Sequence, residues 1–272
     1  MNRIFAMYFS ATGTTQKVVE AIAGHISEAI NIPLHIFDFT TKKARKTPQE
    51  FTAEDIVVFG MPVIAGRVPN LMLEYLNTIR GNGALAIPIV LFGNRNYDDA
   101  LIELRNILSS NGFTPIAAGA FVGEHSFSDT LAQGRPDKED METVYLFANK
   151  ITDKIKQGGS ELKKIVDVKG ETPIRPYYQP RDSAGNPIDI RKAKPKVDLS
   201  LCTDCKLCAE LCPTEAINYD HVEEVPGVCM KCCACIKKCP VGARFFDDPG
   251  YLYHKSELEM LFERRAEPEV FL

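Results

Sequence analysis

Nine cysteines lie between Cys202 and Cys239, and the 201 residues before them hold none. A secreted disulfide scaffold spreads its cysteines along the chain it must staple, and an odd number suits such a framework poorly. The N-terminus does not read as a secretion signal. Residues 4–9 form only a brief apolar run before Ser10-Ala11-Thr12-Gly13, with no long hydrophobic region and no small-residue cleavage site. A cytoplasmic location is therefore expected, where thiols stay reduced and cysteines at motif spacing bind metal or carry redox chemistry.

The cysteine block is an internal repeat with a period of 27 residues. Cys202-Thr-Asp-Cys205-Lys-Leu-Cys208-Ala-Glu-Leu-Cys212-Pro213 aligns with Cys229-Met-Lys-Cys232-Cys233-Ala-Cys235-Ile-Lys-Lys-Cys239-Pro240, and Ala216 aligns with Ala243. The run C-x2-C-x2-C-x3-C-P, present twice, is the bacterial two-cluster iron–sulfur pattern. A cubane needs four thiolates at tetrahedral corners. Three cysteines spaced by two residues wrap one loop around three corners, and the chain then turns away. In this pattern the fourth cysteine of each run ligates the other cluster. Cys202, Cys205, Cys208 and Cys239 are therefore assigned to one [4Fe–4S] cluster, and Cys229, Cys232, Cys235 and Cys212 to the other. Zinc also accepts four thiolates, but its sites usually show C-x2-C pairs separated by a longer span. Cys233 aligns with Lys206 and is the spare, read as a small buried hydrophobe, with a ligand swap with Cys232 or a redox role as the alternatives.

The rest of the chain has ordinary globular usage, 45% apolar and 25% charged, with no apolar run long enough to cross a membrane. Strands are predicted at residues 4–9, 32–39, 55–59, 85–92 and 115–122. Helices are predicted at 15–30, 70–79, 97–110 and 137–156. This alternation indicates an α/β fold with a doubly wound, five-stranded parallel sheet. At Gln157-Gly158-Gly159-Ser160 the character changes. Residues 158–195, broken by Pro173, Pro176, Pro180, Pro187 and Pro195, read as a basic connector that packs in part on a domain surface. The expected units are 1–157, the linker 158–195, a cysteine domain at 196–248, and a helix and tail at 249–272, with the helix over 254–265.

Ser10-Ala11-Thr12-Gly13-Thr14-Thr15 joins the first strand to the first helix. Backbone N–H groups, the helix dipole and three threonine hydroxyls suit an anion there. With no lysine in the loop, this is not a Walker A site. Loops beginning at Gly60, Gly93 and Gly123 follow the third, fourth and fifth strands. With strand order 2-1-3-4-5 they all gather at the carboxyl edge, where doubly wound sheets bind ligands.

Ser10-x-Thr12-Gly13-x-Thr15 resembles the phosphate loop of flavodoxins. Together with the doubled cysteine motif, the linker and the tail, the chain resembles the flavodoxin–ferredoxin fusion proteins of anaerobic bacteria and archaea. The resemblance implies a flavodoxin-like domain followed by a smaller α+β ferredoxin-like domain. It implies FMN with its phosphate held by Ser10, Ala11, Thr12, Gly13, Thr14 and Thr15. The flavin ring would then meet Met61, Pro62, Val63, Ile64, Ala65 and Gly66; Gly93, Asn94, Arg95, Tyr97 and Asp98; and Gly123, Glu124, His125 and Phe127. Flavodoxins commonly sandwich the ring between aromatics, often tryptophan, and this chain has no tryptophan. Tyr97 and Phe127 are the nearest aromatic candidates. Arg67 and His125 are candidate polar contacts to the reduced ring.

The net charge of −4 argues against nucleic acid as the main partner. Gly81-Asn82-Gly83 precedes a strand and lacks a third glycine, so it reads as a turn and no NAD(P)H site is seen. The basic run Lys42-Lys43-Ala44-Arg45-Lys46 reads as a solvated loop, with a docking patch as the alternative. The expected function is electron transfer between two [4Fe–4S] clusters and FMN, a one-to-two electron adaptor served by ferredoxin-type partner proteins. An FMN-dependent reductase of a small molecule and a redox subunit or sensor of a larger complex are the alternatives.

Overall fold

The computed structural model describes residues 1–272. Its N-terminal unit is built on β1 (Arg3–Tyr8), β2 (Leu34–Asp38), β3 (Asp55–Pro62), β4 (Leu85–Phe92), β5 (Thr114–Pro115) and β6 (Ala118–Val122). All pairings among these strands are parallel. The sheet runs β2-β1-β3-β4-β6, with β5 also on β4, which is the flavodoxin-like doubly wound order. Its central strands are apolar runs covered on both faces, and Ile56, Val57, Val58, Phe59, Ile87, Ile89 and Val90 are all fully buried. α1 (Thr14–Ile30) and α4 (Lys138–Gln157) cover one face, and a 3₁₀ turn (Asn70–Met72), α2 (Leu73–Leu76) and α3 (Ala100–Ser110) lie with the other. Asp137 caps α4 through a reciprocal bond pair with Asp140.

Two elements of the N-terminal unit differ most from the expectation. The fifth strand is broken into β5 and β6. Leu85 pairs with Thr114 but Ile89 with Gly119, so the partner carries one extra residue opposite Ile87 and Pro88. Pro88 has no N–H for the ladder, and the sheet answers with a bulge beside it. The helix expected at 70–79 shortens to a 3₁₀ turn and one α turn. Thr78 Oγ1 donates back to the Tyr75 carbonyl at 2.7 Å, a local bond that competes with helix continuation.

The cysteine domain is small. β7 (Lys196–Val197) and β8 (Arg244–Phe245) pair antiparallel and close it, and α5 (Leu207–Glu210) and α6 (Ala234–Lys237) stand at equivalent places in the two repeats. α7 (Pro249–Leu261) starts five residues before the expected position, because Asp248 caps it by accepting from Tyr251 N–H and Pro249 opens it. The tail is not free. Its β9 (Glu269–Phe271) pairs antiparallel with β6 and brings the sheet to seven strands. Asn94 holds the approach: its amide donates to the carbonyls of Phe262 and Arg264, and its oxygen accepts from Ala266 N–H. No helix is long and apolar enough to cross a membrane.

The linker is docked along much of its length. Val166 and Val168 are buried in the N-terminal core, and Val166 N–H donates to the Pro115 carbonyl. Tyr178 N–H bonds to the Ala65 carbonyl, and Tyr177 hydroxyl to that of Val68, both at 2.8 Å. Arg67 chelates Glu103 and lies under Tyr177, so it serves the linker and is not a loose loop residue.

Asp99 is the anchor of this docking. Its fully buried carboxylate accepts from the guanidinium and N–H of Arg175 and from Glu171 N–H. The Arg175 guanidinium holds it at about 2, below its ordinary 3.8. The carboxylate is thus favoured in the folded state, and its stabilisation stands above about pH 4 and is lost as pH falls from 4 towards 2. Asp99→Ala is expected to lower stability by about 2 kcal/mol in urea denaturation. It should also blunt that acid limb and expose the chain near Arg175 to trypsin.

Candidate functional site

Two cavities occupy the cysteine domain. The first is lined by Cys202, Cys205, Cys208 and Cys239 with Val197, Leu207, Val222, Ala243 and Arg244. The second is lined by Cys212, Cys229, Cys232 and Cys235 with Met230, Ile217 and Phe246. The structure thus brings the fourth cysteine of each run to the cavity of the other. The thiols ring a void, and no three His, Cys, Asp or Glu side chains converge closely enough to hold a single ion. Four thiolates spread around such a void suit a cubane cluster.

The local backbone explains the grouping. Asp204 and Lys206 adopt left-handed conformations, as do Lys231 and Cys233 at the equivalent places. The first of each pair turns the loop so that a main-chain N–H meets a thiol: Asp204 to Cys202 and Lys231 to Cys229, both at 3.4 Å. After the fourth cysteine, Ala216 N–H meets Cys212 at 3.2 Å and Ala243 N–H meets Cys239 at 3.3 Å. Such N–H···S bonds are a determinant of cluster potential. Gly227 is needed for closeness, since a Cβ there would stand 2.6 Å from Ala216 Cα. Cys233 borders the second cavity, but its thiol lies 3.4 Å from the Tyr251 hydroxyl and packs with Phe246 and Ala193. Burial pushes that thiol up to about 12, so it stays protonated.

At the carboxyl edge of the N-terminal sheet, the N–H groups of Ala11, Thr12 and Gly13 have no acceptor in the protein. The N–H groups of Thr14 and Thr15 open α1 and have none within the helix. Ser10 Oγ accepts from Gln16 N–H at 3.0 Å, and Ser10 N–H donates to Thr40 Oγ1 at 2.7 Å, which fixes the loop. Gly60 lets α1 approach, for a Cβ there would meet Val19 at 2.3 Å. Five unsatisfied donors at the positive end of a helix fit a phosphate monoester.

The remaining loops meet beside it. Met61 is buried, Val63 N–H bonds to the Leu91 carbonyl, and Ile64 and Arg67 close a tight turn through Ala65 and Gly66 at φ 51° and 75°. Pro62 ends β3 half-buried at this edge. Gly66 receives the Asp98 carboxylate, which pairs with Arg95, and Arg95 lies 4.3 Å from the Tyr178 ring centre. Gly93 receives the His125 ring, and Gly123 abuts Thr14. Burial pushes His125 down to about 4, so the imidazole is neutral at ordinary pH.

Several side chains expected at a flavin ring have other partners. Tyr97 is buried against Phe92, with its hydroxyl 3.1 Å from Glu269 of β9, so its ring is core. Phe127 packs against Tyr251 of α7 at 4.6 Å, so it is an inter-domain contact. Asn94 grips the tail, and Glu124 pairs with Lys237 of α6 at 2.9 Å. Each of these contacts crosses between segments remote in sequence, which loop position alone does not reveal. Sequence reasoning also missed Lys237, Met230 and Tyr251. The only available signal was Asp248-Pro249, a helix start that places Tyr251 on the first turn.

Residues 195–218 match the 4Fe-4S binding domain family, a span that holds Cys202, Cys205, Cys208 and Cys212. No curated protein matches the chain. Among solved structures, a flavodoxin from the domain Archaea is 18% identical, with 57% of this chain and 99% of that chain covered and a TM-score of 0.38. The flavodoxin of Streptococcus pneumoniae TIGR4 is 18% identical, with 56% and 98% covered and a TM-score of 0.39. Rubredoxin oxygen:oxidoreductase from the anaerobe Desulfovibrio gigas is 15% identical, with 58% of this chain and 37% of that chain covered and a TM-score of 0.41. In architecture the chain fuses a flavodoxin-like doubly wound α/β domain to a smaller 4Fe–4S ferredoxin domain.

The crossed grouping has a direct consequence. Were each set of four thiols to hold a cluster, Cys212→Ala should disrupt the one at Cys229, Cys232 and Cys235 and leave that of its nearer neighbours in sequence, seen as loss of about half the iron and of one of two EPR signals. Cys233→Ala should leave iron content unchanged.

Proposed function

We propose that this chain is an electron-transfer flavo-iron–sulfur protein that passes electrons between two [4Fe–4S] clusters and FMN. One observation carries the reading. Met230 and Cys232, from the loop of the second cysteine set, pack into the same apolar cluster as Ala11, Val63 and Ile64 from the loops at the carboxyl edge of the sheet. The second cluster would therefore share an apolar core with the loops of the flavin crevice. When bound, the clusters exchange single electrons and FMN accepts two, so their union adapts one-electron to two-electron chemistry.

The protein's part is to hold these groups in place. Lys237 reaches from α6 to Glu124, Asp129 and the Ser128 carbonyl on the loop after β6. Phe127 packs at a tilt against Tyr251, and Tyr251 stacks on Phe246 at 4.1 Å. These contacts hold the cysteine domain against the loop after β6. The first cavity lies outward, and its Cys205 is exposed beside exposed Leu199, Leu201 and Val241. That face is the port for a ferredoxin-type donor or acceptor in an anaerobic, cytoplasmic setting.

Protein purified without oxygen should contain about one FMN and about eight irons with matching sulfide. Rapid reduction should show cluster bleaching followed by flavin bleaching in the same molecule, at a rate independent of protein concentration. Zinc without iron and sulfide, or flavin reduction that scales with protein concentration, overturns the proposal.

A further inference from the structure

Arg244 is 97% buried and has no carboxylate partner. It stands on β8, whose alternation turns Phe245 outward and Arg244 inward, and it lines the first cavity. Nη2 donates to Cys208 Sγ at 3.2 Å and to the Val222 carbonyl. Nε and Nη1 are buried with no acceptor at all. A buried guanidinium with two unsatisfied donors is costly unless an anion meets it. The side chain borders a void ringed by four thiols, and a thiolate-bound iron–sulfur cluster is such an anion.

The second cavity has no counterpart. One repeat earlier, 27 residues back, the position of Arg244 is taken by Ile217, which lines that cavity. The other cations near the thiols are engaged elsewhere. Lys231 donates to the carbonyls of Arg191 and Cys229, Lys194 donates to that of Val225, and Lys206 pairs with exposed Asp204. These groups are wholly or partly open to solvent and are screened by it. The repeat is therefore symmetric in its ligands and asymmetric in buried charge.

We propose that Arg244 is a positioning residue that raises the reduction potential of the cluster held by Cys202, Cys205, Cys208 and Cys239 more than that of the other cluster. Reduction adds one negative charge to a cluster. A fixed positive charge and N–H donors at its edge favour that reduced form. The outward cluster then becomes the resting place of the electron, and the cluster beside the crevice becomes the transit point.

The inference rests on the two-cluster reading, and potentiometric EPR of the loaded protein separates the two. A parent protein with about four irons fails that reading. With about eight irons, Arg244→Gln should shift one reduction equilibrium at least tenfold toward the oxidised form, about 59 mV for a one-electron couple, and shift the other less. Cys208→Ser, which alters the spectrum of its own cluster, identifies which midpoint moved. Arg244→Lys, which keeps the charge, should recover more than half of the shift. Both midpoints unmoved, a larger movement of the other cluster, or no recovery with lysine overturns the inference. A measurement on the unaltered chain does not depend on any variant folding. With ¹⁵N-arginine, one reduced cluster should show electron–nuclear coupling to a guanidinium nitrogen, and absence of that coupling also overturns it.

Discussion

A left-handed residue, Lys206 in one repeat and Cys233 in the other, sends the chain into a helical turn just as the third cysteine of each run is reached. That single backbone choice governs the cysteine domain. The turn carries Cys208 and Cys235 on its second residue and leads the fourth cysteine away from its own loop. Cys212 then faces the cavity of Cys229, and Cys239 the cavity of Cys202. Neither repeat can complete its own set of four thiols. The antiparallel pair of β7 and β8 joins the outer ends of the two repeats and holds them in this mutual arrangement. Where ligands are shared in this way, loading with metal and folding become one event.

Much of this was legible in residue spacing because the chemistry demands fixed intervals. A cubane corner tolerates little variation, so the cysteine runs speak for themselves. The central strands were legible for a different reason: burial on both faces forces continuous apolar runs such as Ile56 to Phe59. The glycine and hydroxyl loop at Ser10 to Thr15 follows from the needs of an anion at a helix start. What escaped were relations that no local pattern encodes. Glu269-Val270-Phe271 has too few residues to declare itself a strand, and it becomes one only because the edge of β6 is waiting. The polar residues Asn94 and Glu124 and the ring of Phe127 sit in loops that resemble ring-binding segments, yet their side chains are taken up by the chain after β6.

The docking between the two domains is polar at its margins and apolar at its centre. Lys237 closes one side. On the other, Arg45 donates to the carbonyls of Phe39, Thr40 and Pro213, and Lys42 pairs with Glu215 at 3.2 Å. The short basic run at residues 42–46 is thus part clasp and part solvated loop. Between these margins lie Met230, Phe127 and Tyr251. An interface of this kind resists sliding, because the ion pairs fix direction while the apolar centre excludes water.

The return of the chain to β9 alters how the molecule should be drawn. In sequence the ferredoxin unit follows the flavodoxin-like unit. In topology it is a guest within it, threaded between β6 and the strand that covers β6. Both of its ends are moored to the same sheet, through the linker held at Asp99 and through the tail held at Asn94. A unit hung from one hinge can swing out to meet a partner and swing back. A unit moored at both ends cannot, and it keeps one place against the sheet.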